Sequence, residues 1–275
     1  MKQEPELIDE LTLCAHAMAD AAREVILPYF RSDGLDAQNK VPGGYDPVTK
    51  ADREAEAAMR AVLARMRPGD SILGEELGTT IGTSGLIWVL DPIDGTRGFV
   101  AGTPTWGVLI AVGPDPAMGA DTGPFIGIVD QPYIGERFIG TPQGAVLIHA
   151  GKQTQLRTRA PRPLAQAVML STFPEVGSRD ERTAFEAVVA AVTLTRYGMD
   201  CYGYALLAAG QVDLVIEAGL QAYDVQGPLA LIEAAGGVVT AWDGGPAHQG
   251  GRVLAAANPQ IHAEAMALLG ESIAR

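Results

Sequence analysis

Apolar residues at Leu7, Leu11, Cys14, Met18, Ala21, Ala22, Val25 and Ile26 recur every three to four positions, with Asp20 and Glu24 between them. This spacing predicts an amphipathic helix over 7–30, slowed near Pro28. A connection rich in Gly and Pro follows over 31–45 and carries Lys40. Thr49-Lys50-Ala51-Asp52 reads as a capping box with Asp in the place of Glu. It opens a second helix that buries Ala55, Ala58, Met59, Val62, Leu63 and Met66. Ser71-Ile72-Leu73-Gly74 is a short strand ending in two acids, Glu75 and Glu76. Trp88-Val89-Leu90 is a buried strand that breaks at Asp91-Pro92, and a helix can start after Asp94-Gly95-Thr96.

Between 106 and 149 the pattern changes. Four apolar runs (106–112, 125–129, 137–139 and 145–149) alternate with Gly and Pro turns and predict antiparallel strands, with Asp130-Gln131 at a strand end and His149 at an edge. Arg157 to Pro163, basic and proline-rich, reads as a crossover between two subdomains, 1–155 and 156–275. Beyond it, strands (167–171, 194–197, 213–217, 238–240, 253–257) alternate with helices (180–192, 202–209, 225–235 and after Pro259), an α/β pattern. The whole is a mixed α+β chain without a repeat of fixed period.

Composition narrows the functional classes. With 275 residues, 47% of them hydrophobic, the chain can bury a large core. A net charge of −13 argues against a nonspecific nucleic-acid surface, which needs clustered Lys and Arg. An acidic protein can still take an anionic ligand if it imports positive charge locally, as a bound metal does. Cys14 and Cys201 are the only cysteines and form no metal-ligand spacing; His16 has no second ligand at helical distance and reads as a packing or surface residue. No apolar run approaches the ~20 residues that span a bilayer, and the first residues lack an apolar signal core, so the expectation is a soluble cytoplasmic protein.

The chemistry concentrates in Trp88-Val89-Leu90-Asp91-Pro92-Ile93-Asp94-Gly95-Thr96-Arg97-Gly98-Phe99. Two carboxylates three residues apart at a strand's exit, with the Ile93 carbonyl between them, can offer hard oxygen ligands to one Mg²⁺. The amides of Gly95 and Thr96 at a helix start favour an anion. A single Asp-Pro turn with an Asp cap would explain part of the string without any ligand. The complete string, continuing through Ala101-Gly102, Pro104 and Trp106-Gly107, resembles the metal-binding signature of the inositol monophosphatase superfamily of Mg²⁺-dependent, lithium-sensitive phosphatases. Within it, the closest resemblance is to the histidinol-phosphate phosphatase branch.

That resemblance covers nearly the whole chain and implies a layered αβαβα sandwich. It also implies a phosphate-monoester substrate, two or three Mg²⁺ ions and a homodimer. It makes Glu75, Asp91, the Ile93 carbonyl, Asp94 and Asp224 metal ligands, and leaves Glu76 to a supporting role or to solvent. It implies Thr96 as a catalytic residue with Asp52, from Asp46-Pro47-Val48-Thr49-Lys50-Ala51-Asp52, hydrogen-bonded behind it, although Asp52 as a plain helix cap is the competing role. Lys40 falls where the family carries a flap lysine. Substrate would meet Asp94, Gly95, Thr96 and Asp224. Asp200 stands where inositol-specific members carry a small neutral residue, and Glu217 matches a substrate-contacting glutamate; histidinol phosphate, with its ammonium and imidazole, suits such a pair of acids. Arg196 can bind phosphate, neutralise Asp200 or form a surface salt bridge. Tyr223 replaces a tryptophan common in inositol-specific members. Asp224 caps the next helix, with Pro228 in that helix's first turn.

Overall fold

The structure is a computed structural model that describes residues 5–32, 38–39, 47–118 and 122–273. Lys40 and Asp46 therefore lie outside the described residues. Helix α1 (Pro5–Ile26) is followed by the two-residue strands β1 (Gln38–Asn39) and β2 (Pro47–Val48), then by helix α2 (Lys50–Met66). Strands β3 (Ser71–Gly74), β4 (Gly78–Thr80) and β5 (Leu86–Asp94) lead into the short helix α3 (Thr96–Ala101). Strands β6 (Gly107–Pro114), β7 (Ile126–Gln131), β8 (Glu136–Thr141), β9 (Gly144–His149) and β10 (Lys152–Gln155) complete the first half. The second half runs β11 (Val168–Ser171), α4 (Arg179–Ala191), β12 (Leu194–Tyr197), α5 (Asp200–Ala208), β13 (Leu214–Leu220), α6 (Ala222–Ala234), β14 (Val238–Ala241), β15 (Gly251–Ala256) and α7 (Pro259–Ile273).

Two mixed sheets result. The larger has the order β10-β9-β8-β7-β6-β5-β3-β4 and is antiparallel except between β3 and β5. The smaller, β12-β11-β13-β15-β14, is parallel on one side of β13 and antiparallel on the other. Helices α1 and α2 pack together on one face of the large sheet, α5 and α6 lie between the sheets, and α4 and α7 cover the far face of the small one. The five layers are thus αβαβα. Each apolar stripe read from the sequence finds its partner here: Leu11, Cys14, Met18 and Ala22 of α1 lie against Ala55, Met59 and Leu63 of α2 in one buried cluster.

The middle layer approaches the large sheet closely where glycines face it. A Cβ on Gly227 of α6 would stand 3.0 Å from the Ile128 carbonyl, and a Cβ on Gly127 of β7 would collide with the Gly227 backbone. This close approach seats α6, and with it Asp224, against the strands that carry the other acids. Helix α6 also begins earlier than the sequence reading placed it. Asp224 is not the cap but the third helical residue, its carboxylate reaching back to the Gln221 N–H at 2.7 Å. Pro228 accordingly lies inside the helix rather than in its first turn; its missing N–H would have bonded the Asp224 carbonyl.

Strand β5 differs from its reading in a way that matters for the site. It does not break at Asp91-Pro92 but continues to Asp94, with a slip in register: Asp91 pairs with Leu109 and Asp94 with Gly107. Three residues on β5 match two on β6, a bulge that absorbs the proline, which has no ladder hydrogen to donate. On a regular strand, side chains three apart face opposite ways. The extra residue turns Asp91 and Asp94 to the same side. Strands β4 and β10 were missed by the sequence reading. Both are polar and fully exposed, so neither carries an apolar alternation.

Candidate active site

A cavity of about 340 Å³ opens between the ends of the two sheets. Its floor holds Glu75, Asp91, Ile93, Asp94 and Asp224, and its wall holds Gly95, Thr96, Asp200, Tyr204 and Glu217. Asp91, Asp94 and Asp224 each place a carboxylate oxygen within 4.8 Å of the other two. One comes from the strand before the bulge, one from its end, and one from the first turn of α6. Asp91 Oδ1 accepts the Ile93 N–H at 3.0 Å, a local Asx turn that aims the carboxylate. Asp94 Oδ2 accepts the Cys201 N–H at 2.7 Å from the first turn of α5, which ties the large sheet to the second half of the chain.

Burial pushes the Asp91 and Asp94 carboxyls to pKa values well above the ordinary carboxylate range, and neighbouring charges add to it: Glu75, Asp94 and Asp224 act on Asp91, and Asp224 and Asp200 on Asp94. Glu75 also hydrogen-bonds the Asp91 carboxyl. Grouped oxygen donors, all carboxylates and mutually repelling when ionised, are the donor set of a hard divalent cation. The cluster can therefore hold a metal ion, and the cation would relieve the repulsion.

Beside this floor, Asp200 begins α5 with φ +44° and lies against Gly95, where a Cβ would stand 2.9 Å from the Asp200 Cβ. Gly95 itself has φ +81°, so only glycine suits both the conformation and the contact. Burial and the nearby Glu217 push the Asp200 carboxyl up to about 7. Glu217 is also raised, by burial, although the Thr172 amide at 2.9 Å, the Thr172 hydroxyl and the Tyr204 hydroxyl at 2.9 Å all donate to it. Its oxygens are therefore aimed by the protein's own donors.

The structure does not bring every predicted residue here. Thr96 lines the cavity, but its hydroxyl donates to the Ile93 carbonyl at 3.1 Å. Asp52 is buried outside the lining; its carboxylate accepts the Thr49 amide at 2.9 Å and hydroxyl at 2.5 Å and makes no hydrogen bond to Thr96. It fills the capping-box role, and burial raises it to about 6. Arg196 is exposed on β12, the edge strand of the small sheet, and does not line the cavity, because strand alternation and edge position point it to solvent. Glu76 turns inward, its side chain only 3% exposed, with Arg53 at 3.8 Å. Among the described lining residues the one base is Arg97, which the sequence reading passed over; its guanidinium lies 4.8 Å above the Phe173 ring at the mouth. Its place inside the Asp91–Phe99 string was the available signal.

The full-length pattern of the sequence decides the relationship: residues 7–274 match the Inositol monophosphatase family. The chain belongs to that family. Its solved relatives within the family include an inositol monophosphatase from Zymomonas mobilis, 34% identical, with a TM-score of 0.82 over 98% of this chain and 100% of that one. By sequence it is 34% identical to a histidinol-phosphatase of Streptomyces coelicolor, over 97% of this chain and 99% of the relative. It is also 39% identical to the chloroplastic bifunctional phosphatase IMPL2 of Arabidopsis thaliana, over 86% of this chain but 66% of that longer protein. Among the described residues, no helix is long and apolar enough to cross a membrane.

Proposed function

We propose that this phosphatase hydrolyses L-histidinol phosphate to L-histidinol and phosphate, with Mg²⁺ as its metal, in two or three sites. The observation that carries the reading is the adjacency of two acidic sets. Asp91, Asp94, Asp224 and Glu75 suit a metal and a phosphoryl group, while Asp200 and Glu217 remain on the neighbouring wall for a cationic leaving group. Similarity to the Streptomyces histidinol-phosphatase over nearly the full length of both chains supports it.

Bound to the aspartates, Mg²⁺ supplies Lewis-acid charge to the phosphoryl oxygens and lowers the pKa of water. The protein's own contribution is position. The Gly95 and Thr96 amides donate to phosphate oxygens as negative charge shifts during an in-line displacement. Thr96, its proton committed to the Ile93 carbonyl, has an oxygen left to accept a hydrogen bond from the attacking water. Asp200 holds the substrate ammonium, and Arg97 at the mouth draws the dianion inward. No covalent phosphoenzyme is needed. The first subdomain, 1–155, supplies most metal ligands and the second, 156–275, the selecting acids. A cytoplasmic homodimer completes the proposal.

The test compares phosphate release from L-histidinol phosphate and inositol 1-phosphate in the wild type and in Asp200→Asn. A charge-assisted contact is worth about 1.5–3 kcal/mol, so the variant should lose about 10- to 100-fold of the preference. Faster turnover of inositol 1-phosphate by the wild type, or an unchanged ratio in the variant, would reject histidinol phosphate. The Zymomonas likeness makes a polyol phosphate the competing substrate.

A further inference from the structure

Glu56 lies in α2, fully buried, and it is not part of the cavity lining. A carboxylate in that position needs strong partners. It accepts the Glu76 N–H at 2.7 Å and the Leu77 N–H at 3.2 Å, the two amides that follow Glu75, and it pairs with Arg60 Nε at 2.7 Å. Arg60 in turn donates to Thr80 Oγ1 at 2.9 Å and to the Gly78 carbonyl, across the β3–β4 turn. On its other side Glu75 donates its own N–H to the Leu90 carbonyl at 3.1 Å. The backbone at Glu75 is thus clamped between β5 and a buried carboxylate. The space for that carboxylate exists only because residue 74 is glycine, since a Cβ there would collide with it.

We infer that Glu56 is a positioning residue for the metal site: by holding the turn at 75–77 it keeps the Glu75 side chain against Asp91. The inference rests on the metal reading above and adds a residue that touches neither metal nor substrate. A supporting contact of this kind changes metal affinity by about 10- to 100-fold when lost.

Glu56→Asp keeps the charge but withdraws it from the two amides. Glu56→Gln keeps the length but loses the charge and sets an NH₂ against donors. Affinity for MgCl2 alone, without substrate, is measured by calorimetry, beside the melting temperature in EDTA. Both variants should raise the Mg²⁺ Kd at least about tenfold, with turnover recovering at saturating Mg²⁺. A lowered melting temperature with an unchanged Kd in Glu56→Asp would make the residue merely structural and overturn the inference. Should neither variant fold, Arg60→Met, which frees the same turn, carries the test: a raised Kd supports the inference and an unchanged one overturns it. A wild type that binds no Mg²⁺ would instead fail the metal reading itself, which separates the two failures.

Discussion

The molecule buries acids in two contrasting ways. Asp213, immediately before β13, is fully buried and held by Arg159 at 2.8 Å, Arg162 at 3.3 Å and the Val168 amide at 2.9 Å. It fastens the 157–163 crossover to the small sheet. Asp91 is equally buried, yet the charges acting on it are Glu75, Asp94 and Asp224, all acids. The first carboxylate is neutralised by the chain itself, and its contribution is complete once the protein folds. The second group accumulates a repulsion that a bound cation would remove. Burial alone marks neither structure nor function; the sign of the neighbours separates them.

The largest expected effect is on the second group. Asp94→Asn should reduce Mg²⁺-dependent phosphate release by more than about 100-fold, since loss of a ligand exceeds the cost of loosening one. Its melting temperature in EDTA should nevertheless rise, because an amide removes the cost of burying an acid that must either repel its neighbours or take up a proton, while its oxygen can still accept the Cys201 N–H. Unchanged turnover, or a lowered melting temperature, would break the contrast. Asp213→Ala should do the reverse: a loss of about 3 kcal/mol in stability from two stranded arginines, with turnover per folded molecule intact. At about 2–4 °C per kcal/mol for a chain of this size, thermal unfolding would show it.

Next comes the response to metal and pH. Asp91 and Asp94 are raised in the folded protein, so without metal the fold holds protons that the unfolded chain gives up in the ordinary carboxylate range. Its stability therefore falls as pH climbs from that range through the raised values. A bound Mg²⁺ would displace those protons, so the stabilisation from a fixed MgCl2 concentration should grow as pH climbs above the ordinary carboxylate range, because the Kd falls as the protons leave. A gain independent of pH would mean that these acids do not bind the ion. The smallest effect belongs to the exposed Arg252–Glu181 pair at 2.6 Å. Arg252→Ala should cost less than about 1 kcal/mol by denaturant titration, without any change in metal affinity.

Hydrophobic periodicity together with turn and cap residues placed the helices and most strands, because an amphipathic element such as α1 or α2 has one face that must leave water and the spacing of apolar residues records it. The Thr49–Asp52 capping box was likewise legible, being a contact between residues three apart. The motif string marked where the acids would be, and its likeness to a known family supplied their common purpose. Only the tertiary structure decided how Asp91 and Asp94 come to face the same way, since the bulge exists in the pairing of β5 with β6 and not in either strand. The same holds for Glu56 behind Glu75, for Arg97 over Phe173 and for Arg196 on an outer edge. Sequence spacing fixes the period of an element and the chemistry it carries. The direction of these charged side chains depends on partners from 20 to 107 residues away, and those meet only when the layers close.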